Sequence, residues 1–159
     1  MIRVIIGPSG AGKTTLALKW RGASPAVPYQ DIVACTQYGK DRIFIGKYET
    51  GERCQGTDTL SYSAIPKILE QIDKLYPLFP LIVAEGDRIN NPRFFQHLLM
   101  KRYQVELYHL DVPLEVSMER LREAGSKITE TFVKTTGTKA RNNFTKYRTF
   151  FNGQYLKGC

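Results

Sequence analysis

Apolar positions fall into two kinds of run along the chain. Short apolar-rich runs occur at residues 2–6 (Ile-Arg-Val-Ile-Ile), 81–84 (Leu-Ile-Val-Ala) and 104–110, and each predicts a strand. Two further β-rich runs, 32–37 and 42–48, flank Tyr38-Gly39-Lys40-Asp41 and predict a hairpin. Elsewhere the apolar residues take helical spacing. Ile65, Ile68, Leu69, Ile72 and Leu75 predict a helix stopped by Pro77. Phe94, Phe95, Leu98 and Leu99 form the face of a helix opened by Asn91-Pro92, with Asn as cap and Pro in the first turn. Asp111-Val112-Pro113 opens another helix that ends at Gly125, and Ala140, Phe144, Tyr147 and Phe151 predict a last helix from about Thr138 to Phe151. Residues 22–30 and 49–60 read as loops. Strands alternating with helices predict an α/β fold with a mostly parallel sheet covered on both sides.

Composition narrows this reading. The 159 residues are about one domain's worth, 42% hydrophobic and 24% charged, so residues 1–159 are expected to form a single domain. No stretch approaches the ~20 apolar residues of a membrane span, and no signal peptide is read at the N-terminus. Three cysteines without paired spacing (Cys35, Cys54, Cys159) predict a reducing cytoplasm, and His97 and His109 do not complete a zinc site with them. The net charge is +8, and residues 120–159 hold nine basic and only two acidic side chains. A basic segment this uneven predicts a polyanionic partner, either nucleotide phosphates or a nucleic-acid backbone.

The chemistry begins at Gly7-Pro8-Ser9-Gly10-Ala11-Gly12-Lys13-Thr14, which matches G-x-x-x-x-G-K-[ST] between a predicted strand and a predicted helix. Glycines let the backbone turn its N–H groups towards an anion at a helix N-terminus. Gly7, Ser9, Gly10, Ala11, Gly12, Lys13, Thr14 and Thr15 are therefore expected to bind the phosphates of ATP. Lys13 supplies a charge for the β- and γ-phosphates, and the Thr14 hydroxyl is a ligand for Mg²⁺. Glu85, at the C-terminal end of the 81–84 strand, faces the same switch point and is the second expected contact of the Mg²⁺. Asp87 and Arg88 follow within reach of the cleft.

With these residues in place, the chain resembles the P-loop NTPases, and within them the small nucleoside- and nucleotide-kinase branch. The resemblance implies a three-layer α/β/α fold on a five-stranded parallel core, with a short lid at about 120–138. Asp111-Val112-Pro113-Leu114-Glu115 followed by Glu119-Arg120-Leu121-Arg122 looks like the branch's lid entry, which would make Arg120 and Arg122 clamps for the transferring phosphoryl group. Gly56-Thr57-Asp58-Thr59-Leu60-Ser61 lies where the branch carries its acceptor carboxylate, so Asp58 is the expected general base, ahead of Asp31 and Asp41. Gly46-Lys47-Tyr48, the Gly56–Ser61 run and Glu85-Gly86-Asp87 are similar to phage P-loop kinases that phosphorylate 5-hydroxymethyluracil in DNA. That resemblance spans roughly residues 2–150 and implies a host-cytoplasmic enzyme.

The acceptor is the open question at this level. Asp87, Arg88, Tyr48 and Arg141 are expected to bind it, with tyrosines near the acceptor region available to stack a base. Basic residues of the last helix recur at seven-residue spacing, Arg141 with Arg148 and Lys139 with Lys146, and give a reason to expect DNA as the substrate. Two alternatives stand beside this reading: a kinase of free nucleosides or nucleotides, and a P-loop ATPase or binding module with no acceptor.

Overall fold

The computed structural model describes residues 1–51 and 54–157. Strand β1 (Ile2–Ile6) leads through the Gly-rich loop to helix α1 (Lys13–Leu18). Three strands follow, β2 (Ala26–Gln30), β3 (Ala34–Tyr38) and β4 (Arg42–Ile45), and then helix α2 (Ile65–Leu75). The rest of the chain runs β5 (Leu81–Glu85), α3 (Pro92–Met100), β6 (Val105–Asp111), α4 (Leu114–Glu123), α5 (Glu130–Tyr147) and β7 (Asn152–Lys157). The sheet has the order β2-β3-β4-β5-β1-β6-β7. From β4 to β7 all neighbours are parallel, which is the expected five-stranded core. The β2–β3 hairpin extends it antiparallel at the β4 edge.

Alternation along the strands sends side chains to two layers. Val4, Ile6, Ile43, Ile82, Ala84 and Leu107 pack against Ile68 and Ile72 of α2, Phe94, Phe95 and Leu98 of α3, and Ala140, Phe144 and Tyr147 of α5. Ile5, Phe44 and Val83 face the other way, against Ala17 of α1 and the start of α4. Each fully buried Ile or Phe contributes roughly 1.5–3 kcal/mol, so both layers are held mainly by apolar burial. Among the described residues, no helix is long and apolar enough to cross a membrane.

Local chemistry fixes most element ends. Asn91 caps α3 by accepting from the Phe94 N–H at 3.0 Å. The β3–β4 turn uses Gly39 at φ +66°, as the hairpin reading requires. Gln71 of α2 accepts from the N–H groups of Ile32 and Val33 at 2.8 and 3.1 Å, tying the β2–β3 turn to the helical layer.

Three elements differ from the sequence reading. Residues 26–30 form an edge strand rather than loop. Pro28 is tolerated there because one side of an edge strand needs no ladder donor. Helix α5 starts eight residues before Thr138, because Thr129 caps it through the Phe132 N–H at 3.2 Å and Glu130 stands in its first turn. It ends at Tyr147, short of Phe151. The chain then turns back as β7, which lies beyond the last predicted element and pairs with β6 from Glu106 to Asp111.

Asp73 of α2 joins α3 to the following strand. It accepts from His97 at 2.9 Å and from the Tyr103 hydroxyl at 2.6 Å, and Lys101 lies 3.5 Å away. Burial pushes its carboxyl up, but these hydrogen bonds and the charges of His97 and Lys101 outweigh it and leave the pKa below the usual value. A carboxyl lowered by folding stabilises the fold above its unfolded pKa, and that contribution is lost as pH falls through the folded value. Asp73→Asn is therefore expected to cost about 1 kcal/mol at neutral pH, and to lose less stability than the parent as pH falls below about 4. Urea titrations at a series of pH values check both points.

Candidate active site

The Gly7–Thr14 loop joins the carboxyl end of β1 to α1, between the diverging neighbours β5 and β6. This is a topological switch point, where an α/β sheet opens a crevice. Gly10 and Gly12 hold φ +79° and +92°, which shapes the loop as a cradle. Lys13 is 9% exposed, and its ammonium donates to the carbonyls of Gly7 and Pro8 at 3.2 and 2.9 Å. Two helices brace the loop from outside. The Ser9 N–H donates to Thr136 of α5 at 3.1 Å, and a Cβ at Gly10 would sit 2.7 Å from the Ser117 carbonyl of α4.

Glu85 ends β5 facing this loop. The Thr14 hydroxyl donates to its Oε1 at 2.9 Å and the Tyr48 hydroxyl at 3.1 Å. Burial raises the Glu85 carboxyl to about 7; the Asp58 charge adds to this, while Lys13 and the two hydroxyls work the other way. Burial drives the Tyr48 hydroxyl well above the ordinary tyrosine range, and the charge and hydrogen bond of Glu85 add to this. Among the described residues, no group of three or more His, Cys, Asp or Glu is disposed to hold a metal. One hydroxyl and one buried carboxylate lacking a full counter-charge suit Mg²⁺, which takes few protein oxygens and keeps its waters.

The expected acceptor side, around Asp58, follows β4. The chain turns at Gly46, bridges back on itself at Lys47 and Gly56, and enters a single helical turn at Thr57–Thr59. Glu49, at φ +55°, is gripped by Arg21 and by the Tyr38 hydroxyl at 2.7 Å. The Thr57 hydroxyl donates to the Glu85 carbonyl at 2.6 Å, and Asp58 accepts from the Asp87 N–H at 3.0 Å. Lys13, Thr14, Asp58 and Glu85 thereby line one cleft of about 250 Å³, walled by Leu121, Ala124, Ser126 and Ile128 from the expected lid.

The other sequence-derived candidates lie in several places. Arg88 stands 3.9 Å from Asp58, and Lys139 pairs with Asp87 at 3.0 Å. Arg120 lies over the loop, reaching the Ala11 carbonyl at 3.3 Å, and lines a second recess of about 620 Å³ with Thr15, Lys19 and Leu156. Arg122 is exposed and lines neither space. Tyr48 is buried, edge-on to Phe44 at 5.3 Å, and so offers no open face for stacking a base; it positions Glu85. Arg141 lines a separate recess with Pro8, Asp111 and Thr138. Asp31 is paired with Lys74 at 2.8 Å, and Asp41 sits in the hairpin turn, so neither lines the cleft.

Sequence reasoning missed Thr57 and Thr136, both buried hydroxyls that hold the site together. Thr136 was legible in principle, since Val133, Thr136, Ala140 and Tyr147 share one helical face. Thr57 carried no local signal.

A phosphate loop at the switch point of this sheet, with a strand-end carboxylate facing it, fits a P-loop kinase, a phosphotransferase. The model of the P-loop Nucleotide Kinase3 family matches residues 1–153, and the chain belongs to that family. Among solved structures, the chain is similar to deoxyadenosine kinase from M. mycoides with bound dATP. That match has a TM-score of 0.54 at 13% identity, over 99% of this chain and 91% of the other. The same enzyme with bound dCTP matches at 0.52 and 11% identity, over 99% and 90%. With the products dCMP and a flexible dCDP it matches at 0.56 and 13%, over 98% and 90%. At these identities the likeness speaks for the fold. No curated protein matches the chain in sequence.

Proposed function

We propose that the chain transfers the γ-phosphoryl group of ATP, with Mg²⁺, to a hydroxyl on a nucleobase in DNA, with 5-hydroxymethyluracil as the acceptor base. The observation that carries this reading is an open groove beside Asp87 with two lysines on its wall. Pro92, Lys134, Thr135, Thr138, Lys139 and Asn142 line a space of about 680 Å³, where Lys134 is paired with Glu130 at 2.8 Å and Lys139 with Asp87 at 3.0 Å, pairs that a phosphate strand would have to compete with. Cations and small hydroxyl and amide groups along an open track suit a sugar–phosphate strand. A small closed metabolite needs no such track.

In this reading the phosphates of ATP lie in the Gly7–Thr14 cradle, with Lys13 released from its two carbonyls to meet them. The base of ATP occupies the recess beside Arg120 and Leu156. Mg²⁺, held by Thr14 and Glu85, offsets phosphate charge when bound. Asp58 orients the acceptor hydroxyl and takes its proton as the new P–O bond forms and the bond to the ADP oxygen breaks. Arg120 stabilises the charge on the transferring group.

The test uses γ-labelled ATP with hydroxymethyluracil DNA, plain DNA and free nucleosides. Label is expected in the hydroxymethylated DNA alone, falling steeply with salt as counterions compete for the basic groove. Label passing only to a free nucleoside or nucleotide overturns the DNA reading. That second reading is favoured by the family description and by the deoxynucleotides bound to the similar deoxyadenosine kinase. Within either reading Arg120→Ala is expected to lower kcat/KM for ATP roughly 10- to 100-fold, the worth of a charge-assisted hydrogen bond. Arg122→Ala, on the exposed side of α4, should change it less than about twofold.

A further inference from the structure

Tyr62 is 72% exposed, yet its ring has a fixed backing. The Arg88 guanidinium covers one face, with Cζ 3.5 Å from the ring centroid. Arg88 is itself held: its Nε donates to the Leu60 carbonyl at 3.2 Å, one terminal nitrogen lies 3.9 Å from Asp58, and the side chain is only 15% exposed. The result is an aromatic ring presented to solvent within two contacts of the acceptor carboxylate. An exposed aromatic face with its orientation already set is what unpaired bases stack on, whatever their identity.

The position of Arg88 decides which base. The guanidinium occupies the side of the ring towards Asp58, so the bare face lies one stacking step further out. A base seated there is too far from Asp58 to present its own substituent for phosphorylation, whereas its neighbour along a strand is not. We infer that Tyr62 is a stacking platform for the nucleotide adjacent to the one phosphorylated, in an unpaired stretch of a nucleic-acid acceptor. This rests on the reading of DNA as the acceptor, and it adds a second contact for the strand besides the groove along α5.

The test compares Tyr62→Ala, Tyr62→Phe and the parent on two acceptors: a single-stranded oligonucleotide carrying one hydroxymethyluracil, and the free hydroxymethyldeoxyuridine nucleoside. For Tyr62→Ala the oligonucleotide KM is expected to rise roughly 5- to 100-fold, the worth of one stacked base, with kcat and the KM for ATP unchanged. Tyr62→Phe should behave as the parent, and any turnover of the free nucleoside should be unaffected by either change. An unchanged oligonucleotide KM, or an equal rise for both acceptors, overturns the platform. Failure of the parent on every acceptor would instead sink the DNA reading. The platform is then read without turnover, from the fluorescence of an oligonucleotide with 2-aminopurine beside the hydroxymethyluracil. Quenching by the parent that Tyr62→Ala loses supports the platform, and equal or absent quenching overturns it.

Discussion

Asp58→Asn is expected to lower kcat by about 10²–10⁴ while leaving the affinity for ATP within about threefold. The asparagine is isosteric, and its carbonyl oxygen can still accept from the Asp87 N–H, so the 57–59 turn keeps its anchor. What it lacks is a basic oxygen for the proton of the acceptor hydroxyl. The contacts of the ATP side are kept, because Lys13, Thr14 and Glu85 have partners of their own, and loss of the Asp58 charge removes one of the causes that raise the Glu85 carboxyl. Single-turnover transfer from γ-labelled ATP, with calorimetric titration of the nucleotide, separates the two quantities. Normal turnover in this variant would move the base to Asp87 or Glu85. Asp31 and Asp41 are no longer rivals, since one is paired with Lys74 and the other lies in the β3–β4 turn.

The sequence announces the site only where its signals are local. The phosphate loop, Glu85 and the α/β alternation are legible because their signals are local: a fixed spacing, a strand-end carboxylate, a change of period. Asn91 and Gly39 are legible for the same reason, since a cap and a turn are each set within a few residues. The edge elements are not. Strand β2 carries Pro28, and β7 reads Asn-Gly-Gln-Tyr-Leu-Lys; neither run has strand character without its neighbour. The first turns of α5 were hidden by Thr129, Thr131, Thr135 and Thr136, whose poor helix propensity is outweighed by a cap and by Thr136 binding the phosphate loop. The aromatic reading of Tyr48 missed for a related reason. Burial of its ring and the use of its hydroxyl by Glu85 are set by a partner 37 residues away in sequence.

The same non-local logic makes Gly56→Ala a strongly damaging substitution at the site. Gly56 has φ +69°, a region that costs an L-residue about 1–3 kcal/mol. A Cβ there would stand 2.1 Å from the Glu85 Oε1 and 2.9 Å from the Tyr48 hydroxyl. The loop cannot recoil towards Gly46, where a Cβ would already meet the Gly56 carbonyl at 2.0 Å. Either Glu85 swings out, losing Thr14 and Tyr48 together, or the 46–56 segment lifts and takes Asp58 with it. Strain and overpacking together are expected to destabilise the fold by about 3 kcal/mol, or roughly 6–12 °C in Tm. Transfer activity should fall by at least about 10²-fold, because both carboxylates lose their registration with the phosphate loop and misplacement on the scale of 1 Å is worth that much. Gly51→Ala is the matched control, since a Cβ at Gly51 meets nothing within 4 Å among the described residues, although its φ of +80° carries the same backbone strain. A Gly51 variant with parental activity beside an inactive Gly56 variant assigns the loss to contact with Glu85. Equal losses in the two would assign it to backbone strain alone and would dissociate the loss from Glu85.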